Sequence, residues 1–168
     1  DPLAWHWAEG RGRVGGGGGP LGVGVGADMC RPGRGGLGRD GVGREFLVPG
    51  IAGDTVGCIG VSEPGAGSDV AAIRSVARKD GGDYVINGAK CWITNGTRAD
   101  FITLAVRTGE QGYGGLSRVT FPTDVKGFKV PRNIHQTGNQ PSQPPAPAYA
   151  PLRPPPHLVS RAPRGPPA

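Results

Sequence analysis

Glycine and proline crowd the two ends of this chain, and that segregation limits its fold more than any other feature. Residues 1–43 are about one-third glycine, with Gly15–Gly19 unbroken. Such a stretch has high backbone entropy to lose on ordering and few apolar side chains to offset it. Residues 140–168 carry Pro141, Pro144, Pro145, Pro147, Pro151, Pro154–Pro156, Pro163, Pro166 and Pro167. Proline at that density removes amide donors and favours extended or polyproline II backbone. Both flanks are therefore expected to be disordered, with Trp5 and Trp7 exposed in the lead. Residues 44–139 are left to build the fold.

The middle segment has a different texture. Arg44–Gly53 is a short apolar patch broken by Pro49, which reads as the tail of a helix followed by a turn. From Thr55 onward, short β-branched runs are punctuated by Gly, Asp and Asn, the pattern of strands and turns. The candidate strands are Val56–Ser62, Ala72–Lys79, Tyr84–Ile86, Cys91–Thr94, Phe101–Arg107, Ser117–Pro122 and Phe128–Pro131. Asp80–Asp83 encloses Gly81 and Gly82 and suits a hairpin turn, since glycine supplies the positive φ such turns require. No amphipathic stretch of helical length separates the strands, which excludes repeated βαβ units. The expected class is mainly β, an antiparallel barrel or sandwich.

Charge narrows the functions open to this chain. The formal net charge is +6, yet residues 44–139 hold eleven Lys/Arg against nine Asp/Glu. The excess is thin, forms no Lys/Arg cluster and has no interleaved aromatics, so a nucleic-acid partner is not expected. Cys30, Cys58 and Cys91 are odd in number and contain no C-x-x-C, which fits a reducing compartment better than a disulfide framework. No run reaches the roughly 20 apolar residues that span a bilayer. The chain has no start Met and no signal segment, so its first residue is not expected to be a natural N-terminus.

Two motifs carry candidate chemistry. Val61-Ser62-Glu63-Pro64-Gly65-Ala66-Gly67-Ser68-Asp69 is a strand end entering a loop of small residues. Its amides can approach a ligand closely, and Ser62 and Ser68 add hydroxyls, a donor set suited to flavin-ring carbonyls or a phosphate. The plainer alternative is a Pro-Gly turn with a serine cap. The second motif is Cys91-Trp92-Ile93-Thr94-Asn95-Gly96, preceded by Asn87-Gly88-Ala89-Lys90. It could set an indole and a hydroxyl against a flat heterocycle, or it could be a core Trp beside a turn. Gly22–Ala27 approximates a dinucleotide fingerprint, but polyglycine precedes it and Arg31-Pro32-Gly33 follows, so the required strand and helix are missing.

In combination the two motifs are far more specific. Ser62–Asp69, then Asp83–Lys90, then Trp92–Gly96, continued through Ala99–Phe101, Phe121–Asp124 and Lys126–Phe128, closely resemble the middle β-domain of the acyl-CoA dehydrogenase family. The resemblance begins near Phe46–Asp54 and fades after Asn139. It implies an antiparallel β-barrel that in the family lies between an N-terminal helical domain and a C-terminal four-helix domain. It also implies FAD as cofactor, an acyl-CoA substrate, a homo-oligomer in the full-length family and an electron-transfer acceptor. A mitochondrial or bacterial cytoplasmic location, not a secreted one, follows by the same resemblance, as does a role in fatty acid or amino acid catabolism.

Position by position, the resemblance implies that Ile59, Gly60, Val61, Ser62, Glu63, Pro64, Gly65, Ala66, Gly67 and Ser68 line the flavin. Ser62 would hydrogen-bond the ring, and Ser68 would sit toward the acyl-CoA. Trp92, Ile93 and Thr94 would pack along the isoalloxazine, with the Thr94 hydroxyl near N5. Ile59 and Gly60 stand where relatives often carry an aromatic and a Cys, so that end of the contact departs from the pattern. The catalytic base, a Glu in the family's C-terminal helices, has no counterpart here, and no catalytic residue is assigned. Glu63 and Asp69 are expected to accept backbone amides within the turn. The chain thus reads as a fragment expected to be inactive, with flanks that resemble misread sequence. The alternative is a non-catalytic β-domain whose polyproline tail docks in an aromatic groove.

Overall fold

The computed structural model describes residues 43–129, 148–153 and 159–161. The decoy at Gly22–Ala27, Trp5, Trp7, Cys30 and most of the polyproline positions lie outside the described residues. A π-turn over Gly43–Leu47 leads into a short helix, α1 (Val48–Ala52), which closes on the Pro49 carbonyl with the amides of Gly53 and Asp54 at 3.0 Å. The helical tail and turn expected for Arg44–Gly53 are present. Phe46 buries its ring against Phe101, with centroids 5.2 Å apart, and so pins this segment to the sheet.

The other described residues form a curled half-barrel of eight strands: β1 (Gly57–Gly60), β2 (Val76–Asp80), β3 (Asp83–Ala89), β4 (Phe101–Arg107), β5 (Leu116–Pro122), β6 (Phe128–Lys129), β7 (Ala148–Leu152) and β8 (Val159–Arg161). The order across the sheet is β6-β7-β3-β2-β4-β5-β8, with β1 also on β4. Most ladders are antiparallel, as expected, but β1 and β2 both join β4 in parallel. β4 reads FITLAVR and is covered on both faces, which is why it is an unbroken apolar run rather than an alternating one. Its register with β5 runs from Phe101↔Pro122 to Arg107↔Leu116.

The core sits on this pair. Phe101, Ile102, Leu104 and Val106 from β4 meet Val119 and Phe121 from β5, with Cys58, Ala77, Ile86 and Ile93 closing around them. Burying each large side chain contributes about 1.5–3 kcal/mol, so this cluster supplies most of the drive to fold. Thr103 and Thr120 face each other across the ladder and share a 3.0 Å hydroxyl hydrogen bond.

Three expectations are corrected. Residues 140–168 do not lack regular structure throughout: β7 pairs with β3 and β6, and β8 pairs with β5. The β3–β7 register runs from Ile86↔Leu152 to Gly88↔Tyr149, so β7 carries one extra residue where Pro151 falls. A bulge is where a strand tolerates proline, because the ladder needs no amide there. Next, Ala72 does not open β2, because Val70–Ala72 forms a 3-10 turn capped by the Asp69 carboxylate on the Ala71 amide at 3.1 Å. Finally, Cys91–Thr94 is not a strand, for reasons that belong to the site.

Candidate functional site

The site grows out of an interruption along one side of β4. β1 leaves β4 at Gly60↔Leu104, and β2 rejoins the same strand at Val76↔Arg107. Between them residues 61–75 swing off the sheet, and the loop Ser62–Asp69 lies in this excursion. Gly60 marks the departure: a Cβ there would meet a Leu104 methyl at 2.5 Å and an Ile93 methyl at 3.2 Å, so both side-chain ends would have to shift to admit one. Within the excursion Glu63 and Ala66 exchange backbone hydrogen bonds at 2.8 and 3.1 Å, which folds Pro64 and Gly65 outward.

Polar contacts hold the excursion to the segment that follows β3. The Glu63 carboxylate accepts the Arg74 amide at 2.7 Å, the Ser75 amide at 2.9 Å and the Lys90 ammonium at 2.9 Å. Lys90 Nζ also donates to the Val61 carbonyl at 2.9 Å, and the Cys91 amide donates to the Ser62 carbonyl at 2.9 Å. Glu63 and Lys90 are 8% and 1% exposed. β3 can pass this close to Ser75 only because residue 88 is glycine, since a Cβ there would meet the Ser75 Cα at 2.8 Å.

Burial alone would push the Glu63 carboxyl up. The hydrogen bond from Lys90 and those from the Arg74 and Ser75 amides outweigh it and bring the group down to about 2. Burial pushes Lys90 down from the usual lysine range against the pull of Glu63. Burial, then the Glu63 charge, pushes the Cys91 thiol up, so it stays protonated at neutral pH and is no nucleophile.

The next residue explains why 91–94 is not a strand. Trp92 has φ 58° and Asn95 φ 66°, both in the left-handed region that a strand cannot contain. The carbonyls of Ile93 and Asn95 take the amides of Gly96 and Arg98 at 3.1 and 2.9 Å, winding residues 94–98 into turns. Ile93 drops into the core, while Trp92 points outward and is 61% exposed. A large aromatic in left-handed backbone costs about 1–3 kcal/mol, and such strain concentrates at ligand sites.

The expected site residues divide by burial. Glu63, Ala66, Gly60 and Ile93 are buried; Ile59, Val61, Ser62 and Thr94 are half-buried; Pro64, Gly65, Gly67, Ser68 and Trp92 are exposed. The Ile93 side chain packs in the core and leaves only its backbone near the surface. Among the described residues, nothing accepts a hydrogen bond from the amides of Gly65, Gly67 or Ser68, and a Cβ at either glycine would meet nothing within 4 Å. Open amides, two serine hydroxyls and a bare indole are a donor set and a flat face that fit a flavin ring. Among the described residues no cluster of His, Cys, Asp and Glu could hold a metal, and no helix is long and apolar enough to cross a membrane.

Two residues that hold the excursion in place escaped the sequence reading. Lys90 was visible only as the end of a spacer, because lysine is almost never fully buried and its partner lies 27 residues away. Arg107 sits at the end of β4 and donates to the carbonyls of Ala71, Ile73, Glu110 and Gly112 at 2.6, 3.2, 2.7 and 3.1 Å. It ties the far end of the excursion to the β4–β5 connection and walls an open cavity of about 380 Å³ lined also by Ala72, Arg74 and Gln111.

The family described as acyl-CoA dehydrogenase, middle domain, matches residues 58–144. An acyl-CoA dehydrogenase of Alternaria alternata is 45% identical over 83 residues, covering 49% of this chain and 19% of that protein. Among solved structures, a probable acyl-CoA dehydrogenase from Mycobacterium abscessus superposes with TM-score 0.71 at 42% identity, covering 74% of this chain and 33% of that one. A glutaryl-CoA dehydrogenase from Mycobacterium smegmatis, solved in complex with FADH2, gives TM-score 0.67 at 35% identity, covering 73% and 31%. The chain thus spans about a fifth of the curated relative's length and about a third of each structure's.

Proposed function

This chain belongs to the acyl-CoA dehydrogenase family through its middle domain, and from that premise we propose that residues 59–68 and 92–94 form the barrel side of an FAD site. When bound, FAD would supply the acceptor for the two electrons released in α,β-dehydrogenation of an acyl-CoA thioester. The observation that carries the proposal is Trp92, exposed in strained left-handed backbone one residue beyond the contact that ties Cys91 to Ser62. Its indole offers a flat face for stacking. The hydroxyls of Ser62 and Thr94 and the open amides of Gly65 and Gly67 offer donors to ring carbonyls, and Ser68 stands exposed where an acyl-CoA would approach.

The proposal includes the claim that these 168 residues alone oxidise no acyl-CoA. Three carboxylates in or beside the site could be asked to take the α-proton, and each is engaged. Glu63 holds Lys90 and two amides, Asp69 caps Ala71, and Asp100 accepts the Val56 amide at 2.7 Å. A carboxylate from outside this domain would have to serve. FAD binding is expected to be weak as well. Each hydrogen bond contributes about 0.5–1.5 kcal/mol net, small against an association cost of roughly 4–15 kcal/mol. A second subunit and an electron-transfer acceptor belong to the same proposal.

The test is to titrate FAD into the purified chain while following amide and indole NMR shifts, then to add a panel of acyl-CoA thioesters and follow flavin absorbance. The proposal expects shifts confined to Ser62–Ser68 and Trp92–Thr94, weak saturation and no bleaching. Shifts elsewhere, or none, contradict the site. Stoichiometric FAD with acyl-CoA-dependent bleaching contradicts the claim that the base is missing.

A further inference from the structure

Five hydrogen bonds hold the site together, three from the adjacent residues Lys90 and Cys91 and two onto the Glu63 carboxylate. Lys90 donates to Val61 and Glu63, Cys91 donates to Ser62, and Glu63 accepts Arg74 and Ser75. The first end of the excursion, residues 61–63, is thereby fixed to residues 90–91. Its second end, residues 74–75, is fixed to the same point through the Glu63 carboxylate. Trp92 follows at once. Lys90 is the one charged donor among these five bonds, and its side chain is fully shielded while that of Glu63 is 6% exposed. Replacing such a pair by neutral groups is often tolerated for stability, so its presence asks for another reason.

We propose that Lys90 is a positioning residue. Its buried ammonium, paired with Glu63, clips both ends of the 61–75 excursion to the segment that carries Trp92 and so sets the spacing between loop and indole on which FAD recognition depends. The clip touches no ligand. It acts through the Val61 carbonyl, which fixes where Ser62 begins, and through the short link from Lys90 to Trp92. The inference rests on the FAD reading above for its functional half; the mechanical half stands on the hydrogen bonds alone.

The experiment uses the full chain as wild type, as Lys90→Met and as the neutral pair Glu63→Gln with Lys90→Met. The Gln carbonyl can still accept an amide from Arg74 or Ser75, and no charge is left buried without a partner. Amide exchange, thermal midpoint and FAD-dependent NMR shifts are read on each. In Lys90→Met the amides of Arg74, Ser75 and Cys91 are expected to exchange at least about ten-fold faster while β4 and β5 keep their protection, and FAD affinity falls about ten-fold or more. The neutral pair is expected to regain most of the lost thermal midpoint without regaining the FAD response. Recovery of both in the neutral pair would show the clip to be merely structural and overturn the proposal. Unchanged exchange at Arg74, Ser75 and Cys91 in Lys90→Met would also overturn it. A wild-type chain without localised FAD shifts would instead contradict the FAD reading, and the exchange data would still decide the clip. Should Lys90→Met fail to fold, the neutral pair carries the same decision.

Discussion

The β4–β5 ladder and the 61–75 excursion lie on the same strand yet are held by opposite means. The ladder is a seven-pair antiparallel register, most of whose residues are buried, around an apolar core. The excursion is held by an ion pair, four further hydrogen bonds around it and the Arg107 guanidinium. Apolar burial is non-directional and indifferent to pH. Hydrogen bonds and charges fix distance and angle, and they respond to pH and to single-atom changes. The barrel therefore supplies the stability, and the clip supplies geometry to a loop whose own small residues could not hold it.

The largest effect should come from the ladder. Phe121 is fully buried and meets Phe128 edge-on with centroids 6.1 Å apart. Phe121→Ala should cost about 3–5 kcal/mol. Denaturant unfolding followed by probes in both regions should show one shared loss, since the excursion has no core of its own. If only the ladder probes move, the two regions are more independent than described. Glu63→Gln should come next, at about 3 kcal/mol, because it leaves the Lys90 ammonium buried without its counter-charge. Here the amides of Arg74, Ser75 and Cys91 should lose exchange protection ahead of those in β4 and β5.

Acid should separate the regions in the same way. The Glu63 carboxyl sits at about 2 in the fold against 4.5 as its ordinary value. Its contribution is present above pH 4.5 and is lost as pH falls through about 2. The gap corresponds to about 3 kcal/mol. Exchange protection at Arg74 and Ser75 should therefore decline between pH 4.5 and 2 before the ladder responds. A ladder that loosens first would contradict this assignment.

The ladder was legible in the sequence and the clip was not. Phe101–Arg107 is recognisable residue for residue because a strand covered on both faces leaves an unbroken apolar run. The β2–β3 hairpin is equally plain from Gly81, whose φ of 59° an L-residue adopts only at a cost. The loop Ser62–Ser68 was readable as a string of small residues, since such a composition marks backbone that can lie open. Cys91–Thr94 misled because Trp, Ile and Thr are strand formers. Their local preference was overridden by the left-handed turns at Trp92 and Asn95 that send Ile93 inward and the indole outward. Lys90 and Arg107 reach the excursion through partners 27 to 36 residues away in sequence, which no local pattern reports. β7 and β8 were hidden by the prolines around them, although Pro151 falls where the ladder can spare an amide.

The smallest expected effect tests the central claim most directly, that Trp92 is held ready for a planar ligand at the expense of stability. Trp92 is exposed and lies at φ 58°. Replacing it by glycine removes little buried surface and relieves left-handed strain of about 1–2 kcal/mol, partly offset by the greater freedom of glycine in the unfolded chain. Trp92→Gly should therefore unfold at higher denaturant, by about 0.5–1 kcal/mol, while its FAD-dependent NMR shifts at Ser62–Ser68 disappear. A Trp92→Gly chain that is less stable, or that keeps the FAD response, would contradict the account.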